Sequence, residues 1–229
     1  MCTLGARPFD LLAVAVAIGT ALLGRPAGAA GFLNLEQSAS AGSVSTAGET
    51  AVAEDAGTVF YNPAGLARLD DPQLLVATGV GVHPIAFADG GTRDAAGTPV
   101  RGNDASDNHV FVLPSLFAAV PVDDRLHLGL GVYAPFGQAT RWDEGWVGRY
   151  QVQQIKLTTV EASPSAAYRL TDRLSIGGSV DVQYAHLQRS AALDFGSLCT
   201  VAVGAGLCAP IGLSPQSADG HLAVDGSDW

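Results

Sequence analysis

The stretch LSIGGSVDVQYAHL, residues 174–187, decides the fold class of this chain. Its apolar and small residues recur at every second position from Leu174 to Tyr184, while serine, aspartate and glutamine fill positions between them. Successive side chains of a β-strand point to opposite faces, so a period of two predicts a strand with one apolar face and one polar face.

Four further runs repeat this period, at residues 74–82, 110–120, 126–132 and 156–170. The connections alternate in length: those at 121–125 and 171–173 are tight, whereas those at 83–108, 134–151 and 188–220 are long. Short turns at one end and long loops at the other are typical of an outer-membrane β-barrel. A soluble β-sandwich is the alternative, but the runs are long enough for a tilted membrane crossing of ~9–11 residues.

Composition limits the classes of function. The 229 residues are 48% apolar, which excludes a disordered chain, and they carry a net charge of −10 with only 12 basic residues. Such a balance argues against nucleic acid or an anionic membrane surface as a partner. The sequence shows neither a nucleophile with its base nor histidines at metal-ligand spacing, so we expect no enzyme activity, no metal and no cofactor.

The first thirty residues have the pattern of a secretory signal peptide. Arg7 precedes the apolar run Leu11–Leu23, and the small residues 27–30 offer a cleavage site. The run is too short for a spanning helix of ~20 residues. We therefore expect export, and in an oxidising compartment Cys199 and Cys208 are candidates for a disulfide. A zinc site at this pair lacks further ligands at suitable spacing.

The mature chain divides into two predicted parts. Residues 31–71 are rich in serine, alanine and glycine without a persistent period, which indicates an irregular plug, called the hatch below. Residues 72–229 contain the strands. The run Leu198–Leu213 holds glycines, a proline and both mature cysteines, and so favours a loop hairpin over a spanning helix.

Specific residues in the hatch carry a family resemblance. They are Ala30-Gly31-Phe32, Glu36, Ser38, Ser40, Ala47-Gly48-Glu49, Glu54-Asp55-Ala56-Gly57 and Asn62-Pro63-Ala64-Gly65. This string resembles, without a gap from Ala30 to Ala64, the N-terminal hatch of the FadL/TodX family of outer-membrane transporters. Weaker similarity continues through Tyr133-Ala134-Pro135-Phe136-Gly137, Trp146-Val147-Gly148-Arg149-Tyr150 and Gly226-Ser227-Asp228-Trp229.

The resemblance implies a mechanism that the strand pattern alone does not. In that family a fourteen-stranded barrel is plugged by the hatch, and a hydrophobic ligand captured outside leaves through a lateral opening in the wall. Phe32 then contacts ligand near the start of the hatch, and Asn62-Pro63-Ala64 ends the hatch, although the same residues also form an ordinary turn. The expected partners are long-chain fatty acids or aromatic hydrocarbons and outer-membrane lipid.

Three apolar residues are candidates for the ligand path. Phe111, Leu113 and Phe117 alternate with Val110 and Val112, so they face the lumen if the valines face lipid. Packing against the hatch explains them equally well. The apolar run Leu198–Leu213 is also a candidate surface for binding ligand on the outside of the barrel.

Taken as given, the chain holds only the first five to six strands of such a barrel, and we expect that it forms no working channel alone, because open sheet edges are not tolerated in a bilayer. The predicted function is passive outer-membrane transport of hydrophobic compounds. The alternative is a structural or adhesive barrel, or an exported sandwich, that binds partners through its long loops.

Overall fold

This computed structural model of the chain describes residues 33–94 and 97–229. Every described helix and strand lies in the compact unit Asn34–Trp229. The predicted signal peptide and Phe32 lie outside the described residues.

The strands form one antiparallel meander. Eight segments pair in the order β1-β2-β3-β5-β7-β8, with β4 and β6 both on β5. Each pair is antiparallel, as hairpin connections require. The segments are β1 Gln73–Phe87, β2 Ala105–Pro121, β3 Leu126–Tyr133, β4 Gly137–Arg141, β5 Gln154–Thr171, β6 Leu174–Ser179, β7 Val182–Asp194 and β8 Asp219–Asp228.

The connections alternate as predicted. The turns 122–125 and 172–173 are short, and the loops 88–104, 142–153 and 195–218 are long. The predicted loop bounds were too wide, because β7 continues to Asp194 and a separate segment, β4, lies inside the predicted loop 134–151. Polar residues there gave no apolar period, yet they pair with β5.

One face of the sheet carries large apolar side chains that are exposed in the described part of the chain. Leu74 is 70% exposed and Val80 69%. Their cross-strand neighbours match, since Val80 lies opposite Val112 and Val82 opposite Val110. Removing apolar surface from water is favourable by ~25 cal/mol per Å². In a transmembrane barrel, the surrounding lipid covers such a face. Among the described residues, no helix has the length and hydropathy of a membrane span.

A proline explains the break between β6 and β7. Their pairing with β5 runs in continuous register from Ser179 opposite Ser165 to Val182 opposite Ala162. Pro164 lies between these two pairs and has no N–H to donate, although its carbonyl accepts from Val180 at 3.1 Å. The strand predicted at 174–187 is therefore one crossing with a missing ladder bond, and it extends beyond its predicted end.

The hatch contains short helices where the sequence indicated irregular structure. Its elements are α1 Ala39–Ser43, α2 Glu49–Val52, α3 Thr58–Tyr61 and a 3₁₀ helix Pro63–Arg68. Helices this short show no readable period and are stable only through packing. Ser38 caps α1 by accepting from the N–H of Ala41 at 3.1 Å.

The last long loop is helical. It contains α4 Phe195–Val203, α5 Ala205–Cys208 and a 3₁₀ helix Ala209–Ile211. The predicted hairpin is thus a helical turn, with its arms joined by a disulfide between Cys199 and Cys208. Several large apolar residues of this loop are exposed, among them Val201 at 87% and Ile211 at 70%.

Candidate functional site: the hatch and the adjoining wall

The hatch packs against the inner face of the first strands. Val59 and Leu66 of the hatch are buried in one apolar cluster with Phe117 and Tyr133 of the wall. Both hatch side chains lie over Gly129 of β3, where an added Cβ would come within 2.7 Å and 2.8 Å of them. A glycine in the strand thus makes room for the hatch.

The Asn62-Pro63-Ala64 segment lies against a second strand glycine. The Asn62 side chain donates to the carbonyl of Thr50 at 2.8 Å, and the Asn62 carbonyl accepts from the N–H of Gly65 at 2.8 Å. Pro63 begins the 3₁₀ helix, as its fixed φ allows. A Cβ at Gly177 of β6 would lie 2.4 Å from the Ala64 nitrogen, so this turn docks backbone directly on the wall. The segment is thus both a turn and a contact of the hatch with the wall.

A polar cluster adjoins this packed core on the inner face. The Tyr133 hydroxyl donates to Glu161 at 2.7 Å, and its oxygen lies 2.7 Å from the hydroxyl oxygen of Ser163. Ser163 in turn donates to Asp181. The two carboxylates are therefore linked through the hydroxyl groups of Tyr133 and Ser163.

The hatch contains a carboxyl group whose charged form is disfavoured by its surroundings. Glu49 is buried at the start of α2. Burial raises the pKa of Glu49 above its ordinary value, and repulsion from Asp55 and Glu54 raises it further. Asp55 is held by Ser40, whose hydroxyl donates to it at 2.7 Å.

The wall has a gap between β2 and the strand that follows it. Strand β2 pairs with β1 from Ala105 to Ala119, but with β3 only from Pro121 to Leu116, which lies opposite Val132. Residues 105–115 of β2 therefore form a hydrogen-bonded ladder with β1 alone. Pro114 lies in this part, where the lack of an N–H is tolerated. Beyond the gap, the N–H of Arg141 in β4 donates to Asp107 at 2.8 Å.

The gap begins where the pairing of β3 and β4 with β5 is interrupted. Pairing with β5 ends at Tyr133 opposite Glu161 and resumes at Gly137 opposite Thr158, so residues 134–136 face only two residues of β5. This extra residue is a β-bulge, which bends a strand away from its neighbour. The Tyr133–Gly137 segment contains Pro135, a signal in the sequence for such an interruption.

Gln37 of the hatch bridges the two sides of the gap. Its side-chain Nε2 donates to the carbonyl of Ala134 at 3.0 Å, on the interrupted crossing. Its backbone carbonyl accepts from the hydroxyl of Ser115, on β2. Asn34 supports the same contact by donating from its backbone N–H to the carbonyl of Pro135 at 2.8 Å. Nothing in the sequence marks Gln37 or Ser115, because the contacts join residues 97 and 78 positions apart.

The three predicted lumen residues differ in exposure. Phe117 is fully buried beneath the hatch and stacks on Tyr133, with 5.6 Å between the ring centroids. Leu113 is half-buried, and Phe111 is 39% exposed with its ring over Gly81. All three lie on the face opposite to Val110 and Val112, and their role in a ligand path stays a prediction.

An arginine joins the outer loops. The buried Arg149 forms an ion pair of 2.8 Å with Asp219 and donates to the hydroxyl of Tyr150 at 2.7 Å. It also donates to the carbonyl of Arg101 in the first long loop. Arg101, Arg149 and Asp219 border a cavity of about 860 Å³. Burial and a hydrogen bond to Asp219 raise the pKa of Tyr150 to about 12.

In the described part of the chain, no group of histidine, cysteine, aspartate or glutamate side chains is arranged to hold a metal ion.

Comparison with known proteins identifies relatives along nearly the whole chain. The family described as outer membrane protein transport protein (OMPP1/FadL/TodX) matches residues 20–226. A putative outer membrane protein of Neisseria meningitidis serogroup B is 34% identical over 227 residues, covering 97% of this chain and 48% of that protein. The long-chain fatty acid transport protein of Escherichia coli K12 is 27% identical over 219 residues, covering 93% of this chain and 46% of that protein. The chain spans about half the length of the curated relatives it matches.

A solved structure shares the fold. The crystal structure of a Pseudomonas aeruginosa FadL homologue superimposes with a TM-score of 0.67 at 22% identity, covering 87% of this chain and 47% of that one. The predicted fold class, a transmembrane antiparallel β-barrel with an N-terminal hatch, is confirmed. The predicted location in the Gram-negative outer membrane is confirmed by the family match.

Proposed function

Because the chain belongs to the OMPP1/FadL/TodX family of outer membrane transport proteins, we propose that the whole protein carries hydrophobic compounds passively across the outer membrane. Long-chain fatty acids are the first candidate ligands, since several relatives are named long-chain fatty acid transport proteins. The driving force is transfer of apolar ligand surface out of water, at ~25 cal/mol per Å².

Release is lateral, through the wall gap beside β2. The observation that carries this proposal is the end of β2–β3 pairing at Leu116 opposite Val132, next to a bulge to which the hatch is hydrogen-bonded. A ligand leaving there reaches lipid without crossing the packed cluster around Phe117. Because Gln37 bonds to both sides of the gap, movement of the hatch changes the width of the exit.

The outer loops are the proposed site of capture. The exposed side chains Leu198, Val201, Leu207 and Ile211 present an apolar surface on the disulfide-linked loop. Clusters of exposed apolar side chains are typical of interaction sites. Ligand taken up there then moves inward past the hatch.

The test removes the bulge without changing the rest of the register. Deletion of Pro135 leaves two residues opposite two of β5, so β3 and β4 become one continuous strand able to pair with β2. In cells lacking their own transporter and expressing the full-length gene product, we expect this deletion to abolish uptake of labelled oleate. Pro135→Ala keeps the extra residue, serves as the matched control and retains uptake.

Each uptake result is interpreted only for a variant that has assembled in the outer membrane. A heat-modifiable barrel in the outer membrane shows that the deletion variant is assembled. Uptake at the unaltered rate by that variant contradicts lateral release through this gap. No oleate uptake by the unaltered protein removes fatty acids as the ligand, and aromatic hydrocarbons are then tested in the same cells.

A further inference from the structure

The side chain of Gln37 has a fixed orientation at the wall gap. Its Nε2 donates to the carbonyls of Asn34 at 2.9 Å and Ala134 at 3.0 Å, which uses both amide hydrogens. Turning the amide over would set its oxygen against two carbonyl oxygens. The identity of the two amide atoms is therefore determined by their partners.

The Oε1 atom of the same amide has no hydrogen-bond donor among the described residues. Gln37 is only 2% exposed, and its remaining polar groups are bonded, the N–H to Leu35 at 2.9 Å and the carbonyl to Ser115. Buried acceptors in proteins nearly always have a donor. The atom is enclosed at the edge of the gap, so a group that enters from outside the described chain reaches this acceptor when the hatch moves.

We propose that Gln37 Oε1 is a binding site for the hydroxyl group of a neutral amphiphile, a fatty alcohol or a protonated fatty acid, as it passes the gap. This inference rests on the proposed lateral release and adds a selectivity to it. An ionised carboxylate offers only acceptors and is costly to bring next to lipid, so it does not fit the site. An ester or ether of the same chain length fits the gap but has no proton to donate.

The experiment compares two probes that differ only at the hydroxyl group. Oleyl alcohol and its methyl ether are supplied to cells expressing the full-length gene product, and uptake by cells without the gene is subtracted. The quantity measured is the ratio of the two uptake rates. Gln37→Met keeps the length of the side chain and removes its hydrogen bonds. We expect the alcohol-to-ether ratio to fall about fivefold in this variant, the effect of one neutral hydrogen bond.

Ser115→Ala is the matched control. It removes a contact between the hatch and β2 but leaves the Gln37 amide intact. We expect its absolute rates to change and its ratio to equal that of the unaltered protein. A ratio that falls equally in both variants shows that loosening of the hatch is responsible, and overturns the proposal.

The outcomes separate this inference from the function on which it rests. Uptake of both probes with the same ratio in the unaltered protein and in Gln37→Met overturns the hydroxyl site alone. Uptake of neither probe also overturns the hydroxyl site, and uptake of labelled oleate by the same cells then shows that the transport function itself stands. If Gln37→Met does not assemble, the same comparison is made with Gln37→Leu. A preference of the unaltered protein for the ether over the alcohol is sufficient by itself to refute the site.

Discussion

Replacing Gly177 by alanine should undock the hatch from the wall. The new Cβ would lie 2.4 Å from the nitrogen of Ala64 and 2.7 Å from the carbonyl carbon of Pro63. Both are backbone atoms, so no side-chain rotation relieves the contact and the 3₁₀ helix must move. Overpacking of this kind costs ~1–3 kcal/mol. If the hatch opens locally to avoid it, the undocked fraction rises by about fivefold to about a hundredfold.

Trypsin cleavage after Arg68 reports that fraction. Arg68 is exposed at the end of the 3₁₀ helix, and its guanidinium donates to the carbonyl of Ala51 at 2.6 Å. When a segment opens and closes faster than it is cut, the cleavage rate follows the population of the open form. The assay uses the full-length protein in detergent micelles, with barrel integrity followed by heat modifiability.

Gly178→Ala is the control, because it changes the neighbouring residue of the same strand. An added Cβ at Gly178 meets no atom within 4 Å. We expect its cleavage rate to equal that of the unaltered protein. Equal cleavage rates for Gly177→Ala, Gly178→Ala and the unaltered protein would refute the reasoning that the hatch docks through Pro63 and Ala64.

Three further predictions concern the hatch and the outer loops. Burial and the charge of Asp55 raise the pKa of Glu49, so the stability that Glu49 contributes to the hatch is complete below its ordinary pKa and is lost as pH rises. Glu49→Gln should keep that stability at neutral pH, and unchanged amide hydrogen exchange in the hatch would contradict this. The pKa of Tyr150 is raised to about 12, so loop stability present below ~10 is lost as pH rises through the folded-state value. Tyr150→Phe should abolish that alkaline loss, as measured by proteolysis of the loop against pH. Replacing both Cys199 and Cys208 by serine removes a bridge with a sequence separation of 9. It should cost the loop ~2–3 kcal/mol, so elastase cuts the loop faster while the barrel's thermal transition is unchanged; equal cutting rates argue against a stabilising bridge.

The strands could be predicted from the sequence because their pattern depends on consecutive residues. A lipid-facing residue such as Val80 and its inward neighbour Gly79 meet different surroundings, and the period of two records that difference in consecutive residues. The tight turn at 172–173 is likewise indicated by two adjacent polar residues. The crossings and their alternating connections therefore followed from sequence, whereas β4 was missed because it carries no apolar period.

The candidate site was readable only in part. The hatch motif Asn62-Pro63-Ala64 was found by resemblance, and the structure adds that it rests on Gly177. Phe117 was predicted on the inner face, but its complete burial follows from the position of the hatch. No local pattern distinguishes a phenylalanine that lines a path from one covered by another segment.

The sequence by itself determined an exported chain of alternating strands, short turns and long loops, because each of these features depends on neighbouring residues. Only the tertiary structure decided where the pairing of β2 ends, and that Gln37 joins Ser115 to Ala134 across the gap. Those contacts depend on register between strands and on a hatch far away in sequence. Hydrogen bonds between residues so far apart in sequence cannot be predicted from the order of neighbouring residues, so the gap and the amide that bridges it became visible only in the folded chain.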